Sequence, residues 1–419
     1  MKTFQEDLED NLSFIQEHEN VINSHLVNFI TEDLWEKLPS DLQVELQQFE
    51  GEMDFLLLVK RCPALKLMID RAETLSLKSN PKVLDLEDFS VEFLNDTLNS
   101  EERNSLKDIQ NDFMKDKKRY EISNFAKVIA CLANGNKCLV IDAGGGKGYL
   151  ATHLSNKYSI PVLSLDSNPR RNKSAINRQK VLEKTKNQTF PLSQHSVEFI
   201  HDSTNFSELV KSYFPDWRGE DYLLTGLHTC GPLAHSIIKT FTRSETLKIL
   251  CVVSCCYHLT EEFLTTDVNF SKTMRMLAQQ SVERISAKNA EQPISIFYRS
   301  LLQLLLKNLK IPDVKIGRGA PTEDFQTYVT WSLTKIGLPP DQIPSEKDLI
   351  DLQMKYSNYR WKLNIFQTIR AHMGSVIESS IILDRFIYLQ QSEKCSKLSI
   401  VRVFDPLLSP RCFAIIALK

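Results

Sequence analysis

One stretch constrains the fold of this chain more than any other: an apolar run that ends on a carboxylate and turns through alternate glycines, Val140-Ile-Asp142-Ala-Gly144-Gly-Gly146-Lys-Gly148. The run has the length of a buried strand, and glycines let the backbone turn sharply and approach another group closely. The residues that follow, from Tyr149 to Tyr158, continue at helical spacing. A strand that feeds a helix through a tight turn belongs to a parallel sheet covered on both faces. Four further apolar runs, at 161–166, 196–202, 221–228 and 248–254, alternate with helical stretches and extend that sheet to five strands.

Strand signals stop at about residue 260 and resume only near the end, at 398–404 and 412–418. Those two runs flank a turn marked by Pro406 and Pro410 and are close enough to form an antiparallel hairpin. A parallel five-stranded sheet finished by such a hairpin is the methyltransferase variant of the doubly wound fold. The expected organisation is a helical N-terminal region over 1–105 and a Rossmann-like core over 106–260. A helical insertion over 261–391 and a terminal hairpin over 392–419 that completes the core sheet follow.

Composition excludes several alternatives. With 419 residues and 42% apolar content, the chain is large enough to bury several cores without staples. Lys plus Arg (51) nearly cancels Asp plus Glu (53), so affinity for a polyanion must come from a local patch. Nine scattered cysteines point to a reducing compartment. The acidic N-terminus lacks the arrangement of a signal peptide, and no window approaches the ~18 apolar residues of a membrane span. A cytoplasmic or nuclear protein with no membrane partner is the expectation.

The glycine turn departs from two familiar patterns. A dehydrogenase fingerprint needs glycine where Tyr149 stands, and the phosphate loop of nucleoside triphosphatases fails on its spacing. What remains is G-x-G-x-G at Gly144, Gly146 and Gly148, the form suited to S-adenosylmethionine. Asp166 ends the second apolar run, where an acid holds ribose hydroxyls in nucleotide-binding folds, and Asp202 follows the third, within reach of an adenine amino group. Taken singly each acid reads as a cap or turn residue; three acids at successive strand ends read as a ligand site.

The fourth and fifth strands end in Gly226-Leu-His228-Thr-Cys230-Gly-Pro232 and Ser254-Cys255-Cys256-Tyr-His258. His228 and His258 are candidates for a general base, against the plainer reading that they satisfy backbone groups. His228, Cys230, Cys255, Cys256 and His258 also resemble a zinc-ligand set, but no C-x2-C pair exists, so a buried thiol pair is favoured and no metal is expected. Two segments are candidates for nucleic-acid contact. Arg170, Arg171, Lys173, Arg178, Lys180, Lys184 and Lys186 read better as a solvated helix face, and the mixed Lys355, Tyr356, Tyr359, Arg360, Trp361 and Lys362 is the stronger candidate.

The segments FMKDKKRYEI from Phe113, IDAGGGKGYLATHLS, GLHTCGPLA, VSCCYHLT and FDPLLSPRCFAIIALK together resemble the methyltransferase-like protein 25 family, closest to its B branch. GLHTCG with SCCYH is the specific part, and it is also similar in part to a family of transfer-RNA 2′-O-methyltransferases. The resemblance implies S-adenosylmethionine at Asp142, Gly144, Gly146, Gly148 and Asp166, with Lys117, Lys118 and Glu121 nearby. The family pattern has a histidine where Tyr120 stands. Adenine N6 methylation is not implied, because the tip after strand four lacks the Asn-Pro-Pro-aromatic sequence that holds a flipped base. The expectation is an S-adenosylmethionine-dependent methyltransferase acting on RNA, with protein as a second acceptor. The alternative is an inactive cofactor-binding scaffold or partner-binding module.

Overall fold

The computed structural model describes residues 2–52, 54–94, 114–186, 192–261, 263–286, 293–312, 314–317 and 319–419. Phe113 and the expected boundary at 105/106 lie outside the described residues. These fall into two compact units, one drawn from 1–9, 77–279 and 378–419, the other from 10–76 and 280–377.

The first unit is built on a seven-stranded sheet of β1 (Leu139–Ala143), β2 (Val162–Asp166), β3 (Ser193–Val197), β4 (Tyr222–Cys230), β5 (Leu247–Cys255), β6 (Lys397–Arg402) and β7 (Phe413–Leu418). Their order is β3-β2-β1-β4-β5-β7-β6. Strands β1 to β5 are parallel, while β7 runs antiparallel to both β5 and β6. This is the expected α/β class I methyltransferase architecture. All five residues of β1 and of β2 are buried, as strands covered on both faces must be. Each Val, Leu or Ile buried there contributes about 1.5–3 kcal/mol. The order reverses at β1, with β2 on one side and β4 on the other, which opens a crevice at their carboxyl ends.

Strand β3 departs from expectation. It occupies Ser193–Val197 rather than 196–202, because its residues are mostly polar and half-buried at the sheet edge. The apolar signal came from Phe199 and Ile200 beyond the strand, where Phe199 is 73% exposed. Asp202 therefore sits well past the strand tip.

The second unit is helical. Trp361 donates its indole N–H to the carbonyl of Glu52 at 2.7 Å and packs against Trp35, with ring centres 5.5 Å apart. Tyr359 meets Phe29 edge-on, and the Lys362 ammonium lies over the Trp35 and Tyr359 rings. The aromatic and cationic residues singled out in this segment are thus largely engaged in packing, although Lys355 and Arg360 stay exposed. Among the described residues no helix is long and apolar enough to cross a membrane.

Candidate functional site

The glycine turn is held against β2. The backbone N–H of Gly146 donates to Asp166 Oδ2 at 3.0 Å, and the N–H of Asn168 donates to Oδ1 at 2.8 Å. Asp166 is thereby fixed at the strand tip, facing the loop. Gly146 has φ +60°, and a Cβ there would sit in van der Waals contact with the Gly144 carbonyl at 3.9 Å and with Asp166 Oδ2 at 4.0 Å, taking up the space a ligand would use. Gly148 is required for another reason: a Cβ would come 2.4 Å from the His195 ring, and the helix Tyr149–Tyr158 begins immediately after it. The absent Cβ atoms leave a bare backbone cradle, the shape a bulky nucleoside needs.

Asp142, near the end of β1, is 2% exposed. Burial pushes its carboxyl up to about 7, against the opposing pull of Lys118 and of the Ser164 hydroxyl. A buried acid poised near neutrality is what a cationic ligand would complement.

Two cavities lie along this crevice. The larger, of about 410 Å³, is lined by Asp166, Arg171, Phe199, Ile200, His201, Cys230, Leu233 and Ser236, among others. The smaller, of about 250 Å³, is lined by Lys118, Ile122, Asp142, Gly145, Gly146, Lys147 and Tyr149, among others. They share Gly144, Arg171 and His228. The larger alone reaches the range of small-molecule sites. An apolar end beside Phe199 and Ile200, a carboxylate at Asp166 and a second carboxylate at Asp142 fit adenine, ribose and amino-acid portions in turn.

His228 stands between the two cavities in an unusual conformation. It has φ +64° and lies at an irregularity in the β4–β5 register between Leu227 and Thr229. Positive φ at a bulky residue is strained and often marks a functional position. Its Nε2 is 3.1 Å from Glu121 Oε2, while Glu121 Oε1 accepts from the Ser409 hydroxyl at 2.7 Å. Burial raises the Glu121 carboxyl. The hydrogen bond and charge of His228, with Ser409 and Lys117, outweigh burial and hold it at about 2.

Among the expected site residues, Lys118, Asp142, Gly144, Gly146, Asp166 and His228 converge on the cavities. Glu121 reaches them through His228, and Lys117 lies 3.5 Å from Glu121. Gly148 shapes the turn without lining either cavity. Asp202 accepts from the Ser236 hydroxyl at 2.8 Å and pairs with Lys239 at 3.3 Å, so it supports the lining from behind. His258 Nδ1 lies 2.7 Å from the Gln279 amide, outside both linings. Tyr120, where the family pattern has histidine, accepts from the backbone N–H of Asp405 at 2.8 Å.

Sequence reasoning passed over Phe199 and Ile200 because it placed β3 too late, and over Ser236 because nothing in the sequence marks that position of the helix Leu233–Arg243. It also missed Ser409, whose only signal was its place in the closing family-like segment. Beside His228, Cys230 brings its Sγ within 3.2 Å of both Cys255 and Cys256. Hydrogen bonding with Cys255 pulls the Cys230 thiol down to about 6 against burial, helped by Cys256 and the charges of His228 and Arg171.

Comparison with known proteins identifies the domain that carries this crevice. Residues 117–262 match the family model of a methyltransferase domain. The human probable methyltransferase-like protein 25 is 30% identical over 276 residues, 60% of this chain and 45% of its own. The mouse probable methyltransferase-like protein 25 is 33% identical over 229 residues, 48% of this chain and 38% of its own. The chain thus spans less than half the length of these curated relatives. A solved S-adenosylmethionine-dependent methyltransferase from Clostridium acetobutylicum ATCC 824 is 15% identical, covering 35% of this chain and 58% of that one with a TM-score of 0.23. That overlap is too slight to bear on fold or function. Strand order and the family match together show that this chain carries a class I methyltransferase domain and is related to methyltransferase-like protein 25.

Proposed function

We propose that the chain binds S-adenosylmethionine in the crevice at the carboxyl ends of β1, β2 and β4 and methylates RNA. The observation that carries the binding reading is the Asp166–Gly146 contact at 3.0 Å beside a crevice that continues to the buried Asp142. Asp166 would hold the sugar hydroxyls, Phe199 and Ile200 would flank the base, and Asp142 would face the cationic amino-acid end. Bound there, S-adenosylmethionine supplies an electrophilic methyl group with its leaving group already attached.

The protein's own contribution is orientation and, for a protonated nucleophile, a base. His228 is that base. With Nε2–H directed at Glu121, the Nδ1 lone pair remains to accept the acceptor's proton, and Glu121 stabilises the imidazolium that results. His258 is not assigned this role, since its ring is engaged by Gln279 away from the crevice.

The RNA reading is supported by cations at the rim. Arg171, Lys118 and Lys147 line the cavities, and Arg170 and Lys173 are exposed on the helix Pro169–Lys186 that borders them. Phosphates gripped there would give binding that weakens steeply with salt. The test incubates the chain and its Asp142→Ala variant with methyl-labelled S-adenosylmethionine and extract from cells lacking the protein, followed by separation of RNA from protein. Asp142-dependent label in RNA is expected. Label in protein alone would contradict the acceptor, and cofactor binding without label in either fraction would favour a scaffold.

A further inference from the structure

We propose that Cys230, Cys255 and Cys256 form a three-thiolate zinc site whose fourth position opens on the larger cavity. Neighbouring parallel strands bring the ligands together: Cys230 at the end of β4 is the register partner of Cys255 at the end of β5. Cys256 follows in a left-handed conformation, φ +47°, which turns its side chain back toward the other two. The three sulfurs are 3.2, 3.2 and 3.5 Å apart, and all three thiols are free.

These separations discriminate between the chemistries open to three thiols. A zinc ion with Zn–S of about 2.3 Å and tetrahedral angles sets its sulfurs about 3.8 Å apart, so small side-chain rotations suffice. A disulfide needs about 2.05 Å, more than an ångström closer, and would leave the third thiol without a role. The lack of C-x2-C spacing argued against a metal in the sequence, but the third ligand comes from the adjacent strand, 25 residues away in the chain.

Charge supports the same assignment. Three thiolates and Zn²⁺ carry a net charge of −1, the three thiol protons passing to solvent. Arg171, Arg385 and Arg411 act electrostatically on Cys230, Cys255 and Cys256 in turn. Arg385 is 1% exposed, and its Nε and Nη1 have no hydrogen-bond partner among the described residues. The neighbouring Asp384 accepts from Leu264 and Thr265. Arg385 has the Asp384 carboxylate and the Tyr257 ring beside it, and an anionic metal–thiolate group at Cys255 would add a further counter-charge to this buried cation. Cys230 is exposed and lines the cavity, so water or a substrate atom completes the tetrahedron, as at zinc sites that act on substrates.

The inference is independent of the cofactor reading. It is tested by stripping metal from the full chain under reducing conditions and titrating Zn²⁺ against a chromophoric chelator, with Co²⁺ as a spectroscopic probe. One equivalent of Zn²⁺ per chain and a thiolate-to-cobalt charge-transfer band are expected. Cys230→Ser, a surface change that spares the core, should weaken zinc binding by more than the ~10–100-fold that loss of an outer partner costs. Cys395→Ser, remote from the trio in the chain, should leave it unchanged. No charge-transfer band, zinc affinity unaltered in Cys230→Ser, or isolation of the trio as a disulfide with no zinc uptake would each overturn the proposal.

Discussion

Glu121 and His228, more than a hundred residues apart in the chain, meet at 3.1 Å where the helix Asp116–Asn136 passes the end of β4. The carboxylate is buried, and the imidazole stands at the junction of the two cavities. A carboxylate behind a histidine fixes its tautomer and stabilises its charged form, which separates positioning from proton transfer.

His228→Asn should therefore lower kcat by ~10²- to 10⁴-fold, the usual worth of a general base, with little change in cofactor affinity. Glu121→Gln should lower kcat less, because the base would keep its place but lose its counter-charge. Equal loss of cofactor binding in both variants would assign the pair to binding instead.

Glu121 also links stability to pH. Its folded value of about 2 lies below the ordinary 4.5, so its contribution is complete above pH 4.5 and lost as pH falls toward 2. Denaturant titrations should show wild type losing on the order of 2–3 kcal/mol more than Glu121→Gln across that window. Parallel curves would show that the carboxylate has no favourable partner.

Asp142 acts in the opposite sense. Its folded value of about 7 lies above 3.8, so the folded chain holds a proton that the unfolded chain releases, and stability falls as pH rises through that interval. Asp142→Asn should be more stable than wild type at pH 8, by on the order of 1–3 kcal/mol, while binding the cofactor more weakly. A destabilised Asn variant would mean that the carboxylate serves the fold.

The middle and last glycines of the turn, Gly146 and Gly148, should fail differently. Gly148→Ala puts a methyl group 2.4 Å from His195 at a left-handed position, and should cost about 1–3 kcal/mol in thermal or denaturant unfolding. Gly146→Arg meets no atom closer than 3.9 Å at its Cβ, carries only the modest strain of a left-handed position, and should retain a cooperative unfolding transition while abolishing cofactor binding, which calorimetry and unfolding curves on the same sample can separate.

Much of this was legible in the sequence, for identifiable reasons. The β1 turn and Asp166 could be read because glycines and a strand-end acid are strong local signals, and both are held by one hydrogen bond. The terminal hairpin could be read because β6 and β7 are apolar and adjacent in the chain. Strand β3 could not, because an edge strand tolerates polar residues and the hydrophobic signal drifted onto Phe199 and Ile200, which face the crevice. The cysteine trio and the Ser409–Glu121–His228 series were hidden for a different reason. Each joins residues that only the folded sheet makes neighbours. Trp361 misled because a ring at helical spacing beside cations looks alike in a core and on a stacking surface.

The most direct measurement is isothermal titration of S-adenosylmethionine into the full chain and into Asp166→Ala. One site per chain, with binding lost or severely weakened in the variant while its unfolding transition is retained, is the expected result. Equal affinity in the two proteins, or no binding to the wild-type chain, would contradict the assignment of this crevice to the cofactor.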